Sequence, residues 1–516
     1  MRIEARFRDS VRHFPAKTAL VAGGRRLSYA DLDAQSDRLA AALIRSGVEP
    51  GSRVVLLLDN DAEAVVSFLA TWKAGAVACP LYPTMKAEKL AAILTNIEPT
   101  AMILHARGLP TLLAAVAIAD TRPVIIAAHL PEDAAQDILR FERLVAVDAV
   151  DVLPVIADDS ELALLIHTSG STGRPKGVML SHANVDAACQ SILGYLENTA
   201  DDVVLSVLPL SFGYGITQMV TMASIGGTLV LEKSFAFPRK IVDRLAEEEA
   251  TGFPMVPAMA ALLGGMKDLE PGFLPKLRYV TSAAAALPPA LSGRLQALLP
   301  ETKIVVMYGQ TECLRVSFLP AGELAGRPTS VGVAIPGTRA YVVDETGEPA
   351  EPGTIGELVV EGPHVMGGYW GDDRSSQATL EVTKHGRRLR TGDLFHVDAE
   401  GFLHFVSRKD DIIKTRGEKV SPQEVERVLY ALPGIREAAV AGVDDPIFGQ
   451  VVRAYVALEP GARLSEKDII RHCAGQLEDY MVPKSVEFRD ALPKTTTGKI
   501  RLSAGAETEP QLENAL

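Results

Sequence analysis

Between Leu27 and Leu58 the polarity of the chain changes period. In LSYADLDAQSDRLAAALIRSGVEPGSRVVLLL, Leu32, Leu39, Leu43 and Ile44 fall at helical spacing. GVEPG then supplies turn residues, and residues 54–58 form an unbroken apolar run of strand length. A second helical pattern covers 61–74. It is followed by GAVACPLYP, TAMILH, PVIIAAHL and LALLIHTSG. Apolar runs without alternation are the mark of strands buried on both faces. Interleaved with helical segments, they predict an α/β fold built on mostly parallel sheets.

The pattern changes after about residue 330. TRAYVVDETGEPAEPGTIGELVVEGPHVMGGYW is rich in Gly, Pro and short β runs, which predicts an antiparallel β-rich subdomain. GFLHFVSRKDDIIKTRGEKVSP reads as two strands around a charged turn. From Pro422 the order is helix (423–431), strand (437–443), strand (452–458), helix (466–476) and strand (485–489), a small α+β unit. A boundary near Asp410 divides the chain into 1–409 and 410–516. The last residues, SAGAETEPQLENAL, have the composition of a frayed tail.

Composition narrows the function. A chain of 516 residues is too long for one core. A net charge of −13 argues against nucleic acid as the main partner, because neutralising a phosphate backbone needs a basic face. The four cysteines, Cys79, Cys189, Cys313 and Cys473, form no CxxC pair, so neither a structural zinc site nor a disulfide framework is expected. They fit a reducing cytoplasm. The N-terminus MRIEARFRDSVRHF lacks the apolar core of a signal peptide. No apolar run reaches the roughly 18 residues of a membrane span.

The candidate chemistry begins at LLIHTSGSTGRPKGVMLSH, residues 164–182. Gly170, Gly173 and Gly177 let backbone N–H groups approach an anion. Ser169, Ser171 and Thr172 add short donors, and Lys176 a point charge. The spacing is not that of a P-loop, since Pro175 precedes the lysine and Gly177 follows it.

The whole string T-S-G-S-T-G-x-P-K-G resembles the signature loop of the adenylate-forming superfamily, which includes acyl-CoA synthetases, stand-alone adenylation enzymes and firefly-type luciferases. Further motifs follow in that family's order. YGQTE (308–312) resembles Y-G-x-T-E, and TGD (391–393) matches T-G-D. SRKDDIIKTRGEKVSPQEVE (407–426) resembles the family's hinge segment, with Ser407 in place of the usual glycine. PKTTTGKIRL (493–502) matches P-x-x-x-x-G-K-x-x-R.

The resemblance implies an AMP-forming ligase using ATP and Mg²⁺. It implies that residues 1–409 bind ATP and the acid, while 410–516 form a mobile domain carrying a catalytic lysine. On that pattern Thr168, Ser169, Gly170, Ser171, Thr172, Gly173 and Lys176 grip phosphates. Ser282, Ala283 and Ala284 border the nucleotide, as do Tyr308, Gly309, Gln310 and Thr311; Tyr308 stacks on adenine. Glu312, with Thr168, stands beside the metal, and Asp393 and Arg408 hold the ribose. Lys499 bridges the carboxylate and the α-phosphate. Asp410 is the hinge, and Gly417 and Glu418 border a thiol channel.

The acid pocket is assigned to Phe212, Tyr214, Gly215, Ala284 and Gly309. LPLSFGYGITQM (208–219) contains no acidic residue that would pair with an ammonium, so a fatty or aromatic acid is favoured over an α-amino acid. Ala283 replaces the family's usual glycine and Ala286 its usual proline, and the methyl added at 283 is expected to narrow the pocket. The chain lacks a G-G-x-S phosphopantetheine site, so the thiol comes from coenzyme A or from a separate carrier protein. The two present the same arm.

Overall fold

The computed structural model describes residues 1–132, 137–147, 158–169, 175–266, 268–384, 386–409, 411–415, 418–445, 449–494, 500 and 502. Two large sheets form the bulk of the chain. In the first, Lys303–Tyr308, Tyr279–Ser282, Gly252–Met255, Val203–Ser206, Thr228–Leu231 and Thr18–Ala22 run parallel, with short antiparallel strands at both edges. In the second, Leu162–Ser169, Val77–Pro80, Arg53–Leu57, Ala101–His105 and Val124–Ala128 are parallel neighbours, and Pro175–Ser181 pairs antiparallel to Leu162–Ser169. The apolar runs read from the sequence are these central strands, buried on both faces.

The sheets are tied together through helices with defined ends. Ser28 closes a capping box with Asp31 at the start of Tyr29–Arg45. Asp61 caps Ala62–Lys73 by accepting from the Ala64 N–H. Each cap satisfies amide groups that a helix start leaves without partners. Trp72 donates from Nε1 to the Ala163 carbonyl at 2.9 Å, joining that helix to the second sheet. The buried Tyr29 hydroxyl donates to the carbonyls of Met222 (2.9 Å) and Gly227 (2.7 Å), joining the first helix layer to the first sheet.

The β-rich segment is antiparallel, as its pattern predicts: Arg339–Val343, Gly356–Glu361 and Gly386–Val397 pair in turn, and the far side of Gly386–Val397 pairs with both Leu380–Thr383 and Leu403–Arg408. The C-terminal α+β unit has its own core around Val425, Leu429, Val456 and Ile469. The helix Pro422–Ala431 packs on the strand Ile435–Asp445, which pairs with Gly449–Leu458; Ser485–Phe488 joins in parallel. The observed elements differ from the sequence reading mostly at their ends, by a residue or two on most and three at the start of Gly449–Leu458; the exception is 401–422, read as two strands and found as three, Leu403–Arg408, Ile413–Thr415 and Glu418–Val420. Asp410 and the frayed-tail reading for 503–516 lie outside the described residues.

No helix among the described residues is long and apolar enough to cross a membrane.

Candidate active site

Leu162–Ser169, Tyr279–Ser282 and Lys303–Tyr308 end at one large cleft. Ligand sites in parallel α/β sheets form beyond the carboxyl ends of the strands. The cleft has a volume of about 3780 Å³ and is walled by both large sheets, the β-rich segment and the C-terminal unit.

The signature loop joins two strands of a hairpin in which Thr168 lies opposite Lys176. Both line the cleft. Ser169 ends the first strand, while Gly170, Ser171, Thr172 and Gly173 lie outside the described residues. Lys176 Nζ donates to Ser375 Oγ at 2.9 Å and stands 5.1 Å from the Tyr369 ring centroid. The Tyr369 hydroxyl in turn donates to Glu312 Oε1 at 2.9 Å. The hairpin continues into the helix His182–Leu196, fixed by a capping box between Ser181 and Asn184.

The turn after Lys303–Tyr308 needs its glycine. A Cβ on Gly309 would stand 2.6 Å from the Leu314 carbonyl oxygen, so any other residue forces the backbone apart. This turn sets Tyr308, Gln310, Thr311 and Glu312 along the cleft wall. The Tyr308 hydroxyl donates to Asp393 Oδ2 at 2.6 Å, and its ring meets Phe395 edge-on at 4.9 Å. Asp393 and Arg408 are register partners on adjacent strands, with Arg408 Nε 3.4 Å from Asp393 Oδ1. The sequence places these residues 15 apart, and the antiparallel pairing brings them together. Burial pushes the Glu312 carboxyl above its ordinary range, while the Tyr369 hydroxyl and the Arg408 charge favour its ionised form.

On the acid side, Phe212 stands just before the helix Gly213–Ile225, and both Phe212 and Tyr214 line the cleft. The Tyr214 hydroxyl shares a hydrogen bond with Thr281 Oγ1 at 2.5 Å. Gly215 departs from the sequence reading. It does not line the cleft: a Cβ there would stand 2.3 Å from the Pro209 carbonyl oxygen, so the glycine serves close backbone packing beneath the pocket. Ala283 and Ala284 line the wall, and Ala284 has a φ of +75°, a left-handed backbone that strains an L-residue. Ser282 is buried behind the wall rather than in it.

Several polar side chains of the cleft escaped the sequence reading. His167, Ser211 and Arg315 line it and carry buried nitrogen or oxygen atoms without hydrogen-bond partners, as does the expected Gln310. Burial depresses the His167 imidazole to about 4, so it is neutral near pH 7. His167 and Ser211 lie within quoted segments and Arg315 stands three residues beyond YGQTE, and that nearness was the available signal. Tyr369 has no such signal, since it reaches the cleft only through the pairing of Gly368–Tyr369 with Pro175–Ser181.

Lys499, Asp410 and Gly417 lie outside the described residues. Lys494 and Ile500, which flank the lysine loop, form a bridge and both line the cleft. Glu418 is exposed on the strand Glu418–Val420 and does not line it.

Residues 7–370 match the model of the AMP-binding enzyme family, and residues 424–499 match that of the AMP-binding enzyme C-terminal domain. The chain belongs to the AMP-binding enzyme family. It is 35% identical over 489 residues to a feruloyl-CoA synthase of an Amycolatopsis species, covering 94% of each chain. It is 30% identical over 519 residues to a long-chain-fatty-acid–CoA ligase of Bacillus subtilis, covering 95% of this chain and 92% of that one. Among solved structures, a benzoate CoA ligase of Burkholderia xenovorans superposes with a TM-score of 0.88 at 27% identity, covering 97% of this chain and 99% of the other. All three relatives are named as CoA ligases or a CoA synthase.

Proposed function

We propose that the protein activates a carboxylic acid with ATP and passes the acyl group to the thiol of coenzyme A. The observation that carries this reading is the convergence of Thr168, Lys176, Glu312, Tyr308, Asp393 and Arg408 on one cleft that also receives Phe212 and Tyr214.

In the first step a carboxylate oxygen attacks the α-phosphorus and pyrophosphate departs with the bonding pair. Two anions must meet, so the site has to neutralise charge and fix the line of approach. Lys176 and the 169–173 loop hold the departing phosphates. Asp393 accepts from ribose hydroxyls, and Arg408 donates to the same sugar. The Tyr308 hydroxyl is held by Asp393, which sets the plane of its ring as a wall for adenine. Lys499 steadies the carboxylate and the α-phosphate.

Glu312 and Thr168 offer the hard oxygen donors that suit Mg²⁺ shared with phosphate. Tyr369, by donating to Glu312, orients the carboxylate for that task. When bound, the ion supplies charge neutralisation of the phosphates. In the second step a thiolate sulfur attacks the acyl carbon, AMP leaves, and the thiol proton passes to solvent. A swing of residues 410–516 about Asp410 would withdraw Lys499 and bring Gly417 and Glu418 toward the thiol path, with 1–409 as the fixed part.

The named CoA ligases among its relatives favour coenzyme A over a carrier protein. The acid is fatty or aromatic: Phe212, Tyr214 and the alanine run give apolar walls, and no acidic residue between 208 and 219 meets an ammonium. Lys499→Ala tests the division of labour. It should abolish most acyl-AMP formation while sparing thioester formation from supplied acyl-AMP. Equal loss of both half-reactions contradicts the proposed role of the lysine.

A further inference from the structure

The cleft contains a cationic centre for which the nucleotide chemistry has no use. Arg315 is 2% exposed yet lines the cleft. Its Nε has no hydrogen-bond partner, and among the described residues no carboxylate oxygen lies within 4.0 Å of its guanidinium. Its charge acts on the phenol of Tyr195, which also hydrogen-bonds it, on the phenol of Tyr214 and on the thiols of Cys189 and Cys313. Burial pushes all four upward, so all four are neutral and none is a counter-ion. The guanidinium stands 5.0 Å from the Tyr214 ring centroid. A cation–π contact softens the loss of water but does not neutralise the charge.

Two further features turn this corner of the cleft positive. The helix Gly213–Ile225 starts here, and its N-cap, Phe212, provides no side-chain cap. Its first-turn amides and dipole therefore favour an anion. A Cβ on Gly213 would stand 3.1 Å from Leu314 Cδ2, so this helix start packs against the residue preceding Arg315. Ser211, 7% exposed, presents an Oγ without a partner to the same cleft. A buried guanidinium, a buried free hydroxyl and an uncapped helix start make an anion receptor. The receptor lies beside Phe212 and Tyr214, on the acid side, whereas Asp393 and Arg408 mark the sugar side.

We infer that Arg315 receives a second carboxylate on the acid that is activated, so that the preferred substrate is a dicarboxylic acid with an apolar or aromatic spacer. This rests on the ligase reading above and sharpens its substrate class. A plain hydrocarbon tail would leave the guanidinium buried and unpaired, the arrangement proteins avoid most strongly. A second carboxylate supplies the missing charge and matches the planar fork of the guanidinium. The same positive corner repels an ammonium, which accounts for the absence of any acid in 208–219.

The test is ATP–pyrophosphate exchange with matched pairs of acids: aliphatic and benzene dicarboxylates, each beside its monoamide. The amide keeps size and shape and removes one charge. The native protein should favour one diacid over its monoamide by at least about a hundredfold in kcat/KM, because sites built around buried polar groups reject analogues that leave them unpaired. Arg315→Gln should reduce that preference to near unity while holding the KM for ATP. Thermal shift with diacid or monoamide alone reads binding without chemistry, and the diacid should stabilise the native protein more than the variant. Equal use of diacid and monoamide by the native protein overturns the inference and leaves the ligase reading standing. A loss across all acids alike in Arg315→Gln, with ATP KM held, also overturns it and assigns Arg315 to the reacting carboxylate. If no acid supports exchange, the ligase reading fails, and the thermal shifts alone decide whether Arg315 binds a second carboxylate.

Discussion

Tyr369 connects the two halves of the phosphate end of the cleft: its hydroxyl donates to Glu312 Oε1 at 2.9 Å, and its ring lies 5.1 Å from Lys176 Nζ. The hydrogen bond favours the ionised carboxylate, against the burial that favours the neutral one. Tyr369→Phe should therefore weaken the Mg²⁺ dependence of adenylation, raising the half-saturating Mg²⁺ concentration about tenfold, as expected for a charge-assisted bond. Glu312→Gln should do so more strongly. Because burial raises the Glu312 pKa, native adenylation should fall as pH drops through that raised value, and the glutamine variant should lose this acidic limb. A Mg²⁺ titration across pH checks both; unchanged curves in either variant contradict the role of Glu312.

Phe212 lines the cleft at the start of the helix Gly213–Ile225. Phe212→Ala should shift preference toward acids with bulkier spacers by about one to two orders of magnitude in relative kcat/KM, since one buried methylene is worth roughly 0.8 kcal/mol. The KM for ATP should hold. An unaltered acid profile would assign the ring to the core instead.

Glu426, on the helix Pro422–Ala431, accepts the Val440 N–H at 2.9 Å, and burial pushes its carboxyl up to about 7. The folded state thus binds the proton more tightly than the unfolded chain. The stability this contributes is fully present below the ordinary value of 4.5 and is lost as pH rises through about 7. Glu426→Gln removes the titration and keeps the acceptor. Denaturant unfolding should show the variant gaining on the native protein between those two pH values; parallel stability curves would contradict the shift.

Much of the fold was legible because its signals are local. The apolar runs at 54–58 and 162–169 are long enough to need burial on both faces, and the Gly- and Pro-rich stretch after 330 fits only short antiparallel strands. The site was legible where chemistry is concentrated in one string, as in YGQTE. It was illegible where a long-range contact makes the chemistry. Arg315 stands three residues beyond YGQTE with no motif of its own, and only the packing of Gly213 on Leu314 brings its guanidinium to 5.0 Å from the Tyr214 ring centroid. Tyr369 joins Glu312 only across a strand pair. Gly215 misled for the opposite reason: its neighbours Phe212 and Tyr214 face the cleft, while the helical turn carries position 215 back onto the 208–209 backbone.

The central claim is acid-dependent adenylation in this cleft, and ATP–pyrophosphate exchange measures it most directly. With Mg²⁺ and a panel of fatty, aromatic and dicarboxylic acids, the account predicts exchange that requires the acid, requires Mg²⁺ and is absent with proteinogenic amino acids. No exchange with any carboxylic acid, or exchange as strong with an α-amino acid as with its best carboxylic acid, would contradict it.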